Sequence, residues 1–252
     1  MVHFSDLEDS IAPAAKRATR EAVASALAAG TIPHNVVIRV NTGQDGLDDI
    51  TAIGAAASPT LMIPKCDSAA LELVAGHLHA AGHDAGVWAL VESATGLRDI
   101  HDIACHRLVE RLAIGEADLC AELGITSRAA HGLWPLRMQL VTASACAELP
   151  GPLGPINTDY TDIATLEDES IALRDAGFGG RLAIHPAQIP PIHRAFTPTE
   201  EAAAAAQRIV AIHAHALASA QGVAVDDDGR MIDEAIVRTA RRVLRLAPPK
   251  DH

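Results

Sequence analysis

The chain is poor in aromatic residues and contains no long apolar run. Aromatic side chains make up 2% of its 252 residues, whereas hydrophobic residues make up 49%. Its core must therefore be built from alanine, valine, leucine and isoleucine, which suits buried parallel strands under alanine-rich helices. No apolar run reaches the roughly 18 residues of a membrane-spanning helix. The start, MVHFSDLEDS, lacks the basic and apolar regions of a secretory signal. We expect a cytoplasmic protein with no membrane partner.

Positive charge and cysteine are also scarce. The formal net charge is −12, which argues against nucleic acid as a partner. The four cysteines show no C-x-x-C spacing and lie in periodic apolar segments. We expect buried, reduced thiols rather than a disulfide framework or a metal site.

Short apolar runs alternate with helical stretches along the first two thirds of the chain. Strands are predicted for the run that ends at Ser5 or Asp6 and for residues 36–41, 60–65, 87–93, 108–115, 152–157 and 181–186. Helices are predicted over 14–29, 69–81, 97–104, 166–176 and 200–220. This alternation indicates βαβ units and a parallel sheet. About seven strands are one fewer than a closed (β/α)₈ barrel has, and a doubly wound sheet fits that number too.

Two observations favour the barrel. No G-x-G-x-x-G follows the first strand, so a dinucleotide site has no support. Polar residues instead stand at strand ends, where barrels assemble their chemistry; they are Asp6 to Asp9, Arg39, Lys65, Glu92, Asp118 and His185. We predict a parallel α/β barrel over residues 1–197. A C-terminal helical extension over 198–252, opened by the helix-capping sequence TPTEE, would cover the barrel mouth or embrace a neighbouring subunit.

Glu92 and Asp118 are the best candidates for a metal pair, because each follows an apolar run and two carboxylates plus waters suit Mg²⁺. Taken singly, each residue could equally cap a helix or face solvent. Arg39 stands inside a strand end, where a guanidinium needs a carboxylate. It could bind an anionic substrate or pair internally with Asp6, Glu8 or Asp9.

Taken together, these positions resemble the citrate lyase beta-subunit-like branch of the HpcH/HpaI aldolase family. Eight segments match in family order: DLEDSIAPAAKRATR, IRVN, MIPK, LVESATGL, GEADLCAELG, DAGFGGRLAIHPAQI, FTPTEEAAAA and GRMIDEAIVRTARRVL. The resemblance implies a TIM-type (β/α)₈ barrel with a Mg²⁺ held by Glu92 and Asp118. It also implies that Arg39 binds the 2-oxo acid and the oxyanion that develops on it. Lys65 of MIPK is a predicted substrate-binding residue.

The resemblance implies catalytic roles for three further carboxylates. Asp233 corresponds to the aspartate that acts as acid/base on the acyl methyl group, often in a neighbouring subunit's site. Glu8 and Asp9 match carboxylates that line the metal site and orient water. The implied reaction is Mg²⁺-dependent formation or cleavage of a β-hydroxyacyl-CoA, of the citryl-CoA or malyl-CoA kind, from acetyl-CoA and a 2-oxo acid. A homotrimer or hexamer is expected.

One departure from the family pattern leaves other functions open. Relatives place an additional strand and helix before their DLED motif, so we expect a barrel lacking the usual first strand. A CoA-independent 2-oxo-acid aldolase is one alternative, although no histidine–aspartate pair near the start supports it. An inactive paralogue that oligomerises through its C-terminal extension is the other.

Overall fold

The computed structural model describes residues 2–33, 35–57, 59–83, 85–126, 130–219, 224–226 and 229–247. Seven parallel strands form one sheet, in which each strand pairs with the next along the chain. The strands are β1 (His3–Asp6), β2 (Val36–Arg39), β3 (Thr60–Ile63), β4 (Val87–Val91), β5 (Val109–Ile114), β6 (Leu153–Gly154) and β7 (Gly180–Arg181). Parallel strands in sequential order are the pattern of a (β/α) barrel.

Helices connect these strands and form the C-terminal part of the chain. They are α1 (Lys16–Ala28), α2 (Gly43–Gly54), α3 (Ser68–Ala81), α4 (Ala94–Arg98), α5 (Ile100–Cys105), α6 (Glu116–Leu123), α7 (Ala130–Cys146), α8 (Ile163–Asp175), α9 (Ile189–Phe196), α10 (Glu200–Ala218) and α11 (Glu234–Leu246). A short antiparallel pair, β8 (Ala224–Val225) and β9 (Met231–Ile232), lies between the last two helices. None of the described helices is both long and apolar enough to cross a membrane.

The sheet is open in the part of the chain that the structure describes. There β1 pairs only with β2, and β7 pairs only with β6. Seven strands in barrel order, one fewer than the eight of a closed barrel, confirm the predicted TIM-type fold that lacks a strand.

Small apolar side chains fill one face of this sheet. The cluster consists of Val37, Met62, Leu90, Ala113 and Leu153, each at most 5% exposed. These side chains come from five successive strands, so a core almost free of aromatics is built as the composition predicts. Because side chains alternate along a strand, every second residue of each strand reaches this same face.

That alternation carries three charged residues to the C-terminal end of the cluster face. Arg39 stands two residues beyond Val37, and Asp6 is its partner in the neighbouring strand. Glu92 stands two residues beyond Leu90, just past the end of β4. The packing of the sheet therefore determines where the polar site forms.

Contacts divide the chain into two compact units. The first contains Met1–Thr158 and Ala172–Ile184, which includes the whole seven-stranded sheet. The second contains Asp159–Ile171 and His185–His252. The predicted division of the chain at residue 198 stays a prediction.

The second unit has its own apolar cluster and helix cap. Ala216, Ala224, Ile232 and Val237 are buried together from α10, the β8–β9 pair and α11. The predicted cap of α10 is confirmed, because the side chain of Thr199 accepts a hydrogen bond from the backbone N–H of Ala202 at 3.1 Å.

Three local predictions were wrong. The helix predicted over 97–104 is two short helices that meet at Asp99, whose backbone leaves the helical conformation. The strand predicted over 181–186 is confined to Gly180–Arg181, because His185 and Pro186 open a 3-10 turn. The strand predicted over 152–157 is likewise confined to Leu153–Gly154. The C-terminal extension is helical as predicted, with the short β8–β9 pair between its last two helices.

The expectation of buried cysteines holds only in part. All four thiols are free, but only Cys66 is buried. Cys105 and Cys146 are exposed. Each is the last residue of its helix.

Candidate metal and substrate site

Arg39 is the centre of a group of carboxylates supplied by the end of β1 and the loop that follows it. Its Nε and Nη2 donate to the two carboxylate oxygens of Asp6, at 2.7 and 2.8 Å. Its Nη1 lies 3.0 Å from Glu8 Oε2 and 3.7 Å from Asp9 Oδ2. The planar guanidinium allows the paired contact with Asp6, which a lysine could not make. The internal ion pairs considered for Arg39 are therefore confirmed, and its role in substrate binding stays a prediction.

The charges in this group move the pKa values in opposite directions. Burial raises the pKa of Asp6, but hydrogen bonds from Arg39 and from the backbone N–H of Glu8 outweigh it and bring the pKa from 3.8 down to about 2. Burial would lower the pKa of Arg39, yet Asp6 raises it well above its usual range. For Glu8, burial raises the pKa more than Arg39 lowers it. Asp6 and Arg39 thus form a charged pair, while Glu8 takes up a proton more readily.

Glu8 is held in an electrostatically unfavourable position. It is buried, and its Oε2 accepts no hydrogen bond from the residues that the structure describes. The contact of this oxygen with Arg39 is thus one of charge rather than of hydrogen-bond alignment. A buried carboxylate oxygen without a hydrogen bond costs free energy, so the surrounding structure must hold the loop in place.

Glu92 is the second buried carboxylate of the site. Its Oε1 accepts a hydrogen bond from the backbone N–H of Lys65 at 2.8 Å. Burial raises its pKa to about 7, and the negative charges of Glu8 and Asp118 act in the same direction. Near neutral pH this carboxylate is therefore partly protonated, unless a cation joins the group.

Asp118 and Lys65 complete the site. Asp118 lies in the first turn of α6, and its Oδ2 is 3.4 Å from Lys65 Nζ. Both side chains are about half exposed. Burial would lower the pKa of Lys65, but Asp118, Glu8 and Glu92 raise it, so the ammonium group stays charged.

The backbone of Lys65 adopts the left-handed conformation, with φ of 47°. This region is unfavourable for a side chain other than glycine and usually marks a turn or a functional constraint. At this position the turn brings the N–H of Lys65 to Glu92. The same residue thus contacts Glu92 through its backbone and Asp118 through its side chain.

Sequence reasoning missed two residues that shape this site. Gly115 leaves room for Glu92, because a Cβ at residue 115 would lie 2.3 Å from Glu92 Oε2. Arg137 of α7 donates to Glu116 at 2.5 and 2.9 Å and so holds the first turn of α6. The glycine within GEADL is the signal that could have revealed the first, whereas nothing in the spacing of Arg137 reveals the second.

The structure brings most of the predicted site residues together. Arg39, Glu8 and Asp9 form one end of the group, and Glu92, Lys65 and Asp118 form the other. The charge of Glu8 acts on both Lys65 and Glu92, which joins the two ends.

Asp233 belongs to the second unit. There it caps α11, and its Oδ1 accepts a hydrogen bond from the N–H of Ile236 at 2.9 Å. Its catalytic role stays a prediction.

The donor set at this site fits Mg²⁺. Within the described residues no three histidine, cysteine, aspartate or glutamate side chains form a ready metal cage. Mg²⁺ commonly uses only one or two carboxylates and keeps several waters. Glu92 and Asp118 offer hard oxygen atoms of this kind. Burial, together with the charges of Glu8 and Asp118, raises the pKa of Glu92, so its negative charge is poorly compensated. A divalent cation would compensate it.

Carboxylates and an arginine stand here at the C-terminal strand ends, where parallel barrels place their active sites, and such carboxylates can hold a catalytic metal ion. The family model described as HpcH/HpaI aldolase/citrate lyase matches residues 4–186 of the chain. The chain therefore belongs to this family of lyase-type enzymes.

Individual relatives place the chain within the citrate lyase beta-subunit-like branch. The citrate lyase subunit beta-like protein of Mycobacterium tuberculosis is 34% identical over 96% of this chain and 86% of that protein. The (3S)-malyl-CoA thioesterase of Cereibacter sphaeroides is 32% identical over 96% of this chain and 85% of that one. The crystal structure of CitE from M. tuberculosis in complex with magnesium, acetoacetate and coenzyme A superposes with a TM-score of 0.76 at 29% identity, covering 97% of this chain and 88% of that chain.

The Asp6–Arg39 pair makes stability depend on pH. Because the pKa of Asp6 falls from 3.8 to about 2 on folding, the carboxylate stabilises the folded state fully above pH 3.8 and less as the pH falls toward 2. We expect Asp6→Asn to lower the free energy of unfolding at pH 7 by about 2–3 kcal/mol. The difference from the unmodified protein should shrink below pH 4, as urea titrations at several pH values would measure.

The matched control for this experiment is Asp175→Asn. Asp175 also pairs with an arginine, at 2.8 Å, but its side chain is 64% exposed. This exposed pair should contribute little at any pH. A loss in Asp6→Asn that equals the control, or that stays constant down to pH 2, would contradict the interpretation.

Proposed function

We propose that the protein is a Mg²⁺-dependent carbon–carbon lyase that cleaves or forms a β-hydroxyacyl-CoA of the citryl-CoA or malyl-CoA kind. Its other substrates would be acetyl-CoA and a 2-oxo acid. The observation that carries the proposal is the grouping of Glu92 and Asp118 around Lys65, which contacts the first through its backbone N–H at 2.8 Å and the second through its ammonium group at 3.4 Å. The relatives' named ligands and substrates, magnesium, coenzyme A and malyl-CoA, support the same reaction.

Glu92 and Asp118 would hold the Mg²⁺ ion, with water and substrate oxygens as its other ligands. When bound, the ion would polarise the oxo group of the 2-oxo acid and neutralise the carboxylates around it. Lys65 fixes one ligand through its N–H and lies within 3.4 Å of the other, so it keeps both oriented. Its ammonium group would attract the carboxylate of the incoming acid.

Arg39 would bind the substrate oxygen that becomes negative during the reaction. Asp6 occupies its Nε and Nη2, whereas Nη1 faces Glu8 and Asp9 through charge and makes no hydrogen bond with the described residues. A donor that is oriented in advance stabilises developing charge more effectively than a mobile one. The rigid pairing with Asp6 would thus prepare Nη1 for the oxyanion.

Carboxylates would transfer the proton and orient the water. In the condensation direction Asp233 would remove a proton from the acetyl methyl carbon, and in cleavage it would return one. Glu8 and Asp9 would line the site and orient water near Arg39. The predicted homotrimer or hexamer and the cytoplasmic location stay predictions.

The relationship to a malyl-CoA thioesterase favours a second activity, hydrolysis of the thioester. Both activities would use the same substrate and differ in their products. Lyase cleavage of malyl-CoA gives acetyl-CoA and glyoxylate, whereas hydrolysis gives malate and free CoA. Identifying the products therefore separates the two.

The first experiment incubates the protein with citryl-CoA, malyl-CoA and free 2-oxo-acid aldols, with Mg²⁺ or with EDTA, and follows products by mass spectrometry. We expect Mg²⁺-dependent release of acetyl-CoA, reduced at least about 100-fold in Asp118→Ala because one metal ligand is lost. Turnover of CoA-free aldols alone would favour the simple aldolase. No turnover in a folded protein that binds neither Mg²⁺ nor oxaloacetate would favour an inactive paralogue.

Glu92→Gln should change stability in two opposite ways. Since the pKa of Glu92 rises from 4.5 to about 7 on folding, its charge destabilises the folded state increasingly as the pH rises between these values. In EDTA at pH 8, where the charge is complete, the neutral variant should therefore be more stable, by about 1–3 kcal/mol. It should also lose the rise in melting temperature that Mg²⁺ gives the unmodified protein.

Glu72→Gln is the control for this pair of measurements. It removes the same charge from a side chain that is 74% exposed, so both readouts should stay unchanged. A Glu92→Gln protein that melts below the unmodified one in EDTA, or that Mg²⁺ still stabilises, would refute the assignment.

Gly115→Ala should weaken Mg²⁺ binding although it replaces neither of the two proposed ligand residues. The new Cβ would lie 2.3 Å from Glu92 Oε2 and 2.7 Å from Glu92 Cβ, so the carboxylate must move. We expect the half-saturating Mg²⁺ concentration, measured by calorimetry, to rise at least about tenfold. Gly76→Ala in α3, where a Cβ meets no atom within 4 Å, serves as the control. Equal affinities in the two variants would show that Glu92 does not bind the metal.

A further inference from the structure

Asn41 and Asp49 form a buried polar network directly behind the loop that carries Glu8 and Asp9. Asn41 follows β2 and is 5% exposed, and Asp49 of α2 is completely buried. The Nδ2 of Asn41 donates to the backbone carbonyl of Leu7 at 2.9 Å and to Asp49 Oδ2 at 2.7 Å. The amide thus links the loop after β1 to α2.

Asp49 fixes the orientation of that amide. Its Oδ2 accepts hydrogen bonds from both the backbone N–H and the Nδ2 of Asn41, and its Oδ1 accepts from Arg20 Nε at 2.5 Å. The Oδ1 of Asn41 accepts a hydrogen bond from Lys16 Nζ. With acceptors on one side and a donor on the other, the amide has one orientation that satisfies every group.

The network ends at the residue that precedes Glu8. The N–H of Leu7 donates to the carbonyl of Arg39 at 2.9 Å, while its own carbonyl accepts from Asn41. The peptide groups on both sides of Leu7 are therefore hydrogen-bonded to residues at or just after the end of β2. Glu8 follows with a buried oxygen that accepts no hydrogen bond from the described residues, so its position depends on such restraints.

We infer that Asn41, oriented by Asp49, is a positioning residue that fixes the Leu7 carbonyl and thereby holds Glu8 and Asp9 against Arg39. Its catalytic consequence rests on the proposed function. Without the Leu7 contact, the Glu8 carboxylate lowers its free energy by turning to solvent. Arg39 then loses a neighbour at a fixed position. Fully satisfied buried networks of this kind make a conformation unique.

Two variants test the inference by different routes. Asn41→Ser removes the donor to Leu7. Asp49→Asn keeps the shape, but its NH₂ group must face either the two donors of Asn41 or the one donor of Arg20, so the variant loses both contacts to Asn41 in one orientation and the contact to Arg20 in the other. Ile53→Val is the control, because Ile53 is a buried residue of the same helix that takes no part in these hydrogen bonds.

Hydrogen exchange followed by mass spectrometry gives the readout that does not need activity. In both network variants we expect the peptide covering residues 2–12 to exchange at least about tenfold faster, while β3 and β4 keep the rates of the unmodified protein. Ile53→Val should show no change confined to that peptide. Unchanged exchange at residues 2–12, or faster exchange across the whole sheet, would overturn the inference.

Kinetics supply the second readout. The variants should lose at least about tenfold in kcat with the 2-oxo acid and CoA thioester, because Glu8 and Arg39 are misplaced. The half-saturating Mg²⁺ concentration should change by less than about threefold, since Glu92 and Asp118 are held elsewhere. A local change in exchange with unaltered kcat would overturn the catalytic part. If the unmodified protein shows no turnover, the proposed function fails, and the exchange result alone decides whether Asn41 fixes the loop.

Discussion

The ion pair between Asp6 and Arg39 is the interaction on which the rest of the site depends. It joins the ends of β1 and β2, which are register partners in the sheet. It also orients the guanidinium so that Nη1 faces Glu8 and Asp9. Asp6 further accepts hydrogen bonds from the N–H groups of Glu8 and Ser10, so one carboxylate shapes the loop and holds the arginine. Such a pair is strong because it is half-buried and makes two parallel bonds.

The site as a whole is not arranged for stability. Burial raises the pKa values of Glu8 and Glu92, which means that the folded protein holds both carboxylates at a cost in free energy. Perturbed carboxylates gathered at one end of a parallel sheet are the usual sign of a functional site. Packing and hydrogen bonds elsewhere, including the Asn41–Asp49 network, must supply the stabilisation that these charges remove.

The sequence predicts which strands are present better than it predicts where they end or which residues hold the site in place. Strands β2 to β5 were predicted to within a few residues, because short apolar runs that contain β-branched residues and end at polar turns favour strands. Glu92 and Asp118 were identified as candidates because each follows such a run. Arg137 and Asp49 were missed because a helical arginine or aspartate looks solvated in sequence. Only packing shows that Asp49 is buried and that Arg137 is largely covered. The strand over 181–186 was overestimated because an apolar run says nothing about which residues have a pairing partner.

Lys65 shows why spacing alone cannot define the site. The sequence predicts a cation after β3, but its contribution depends on a left-handed backbone that no residue type indicates. That conformation turns the N–H of Lys65 toward Glu92 while the ammonium group reaches Asp118. One residue thus restrains both candidate metal ligands, although they lie on different elements. Because a metal site depends on the orientation of its ligands as much as on their identity, the strained turn at Lys65 belongs to the proposed chemistry rather than only to the fold.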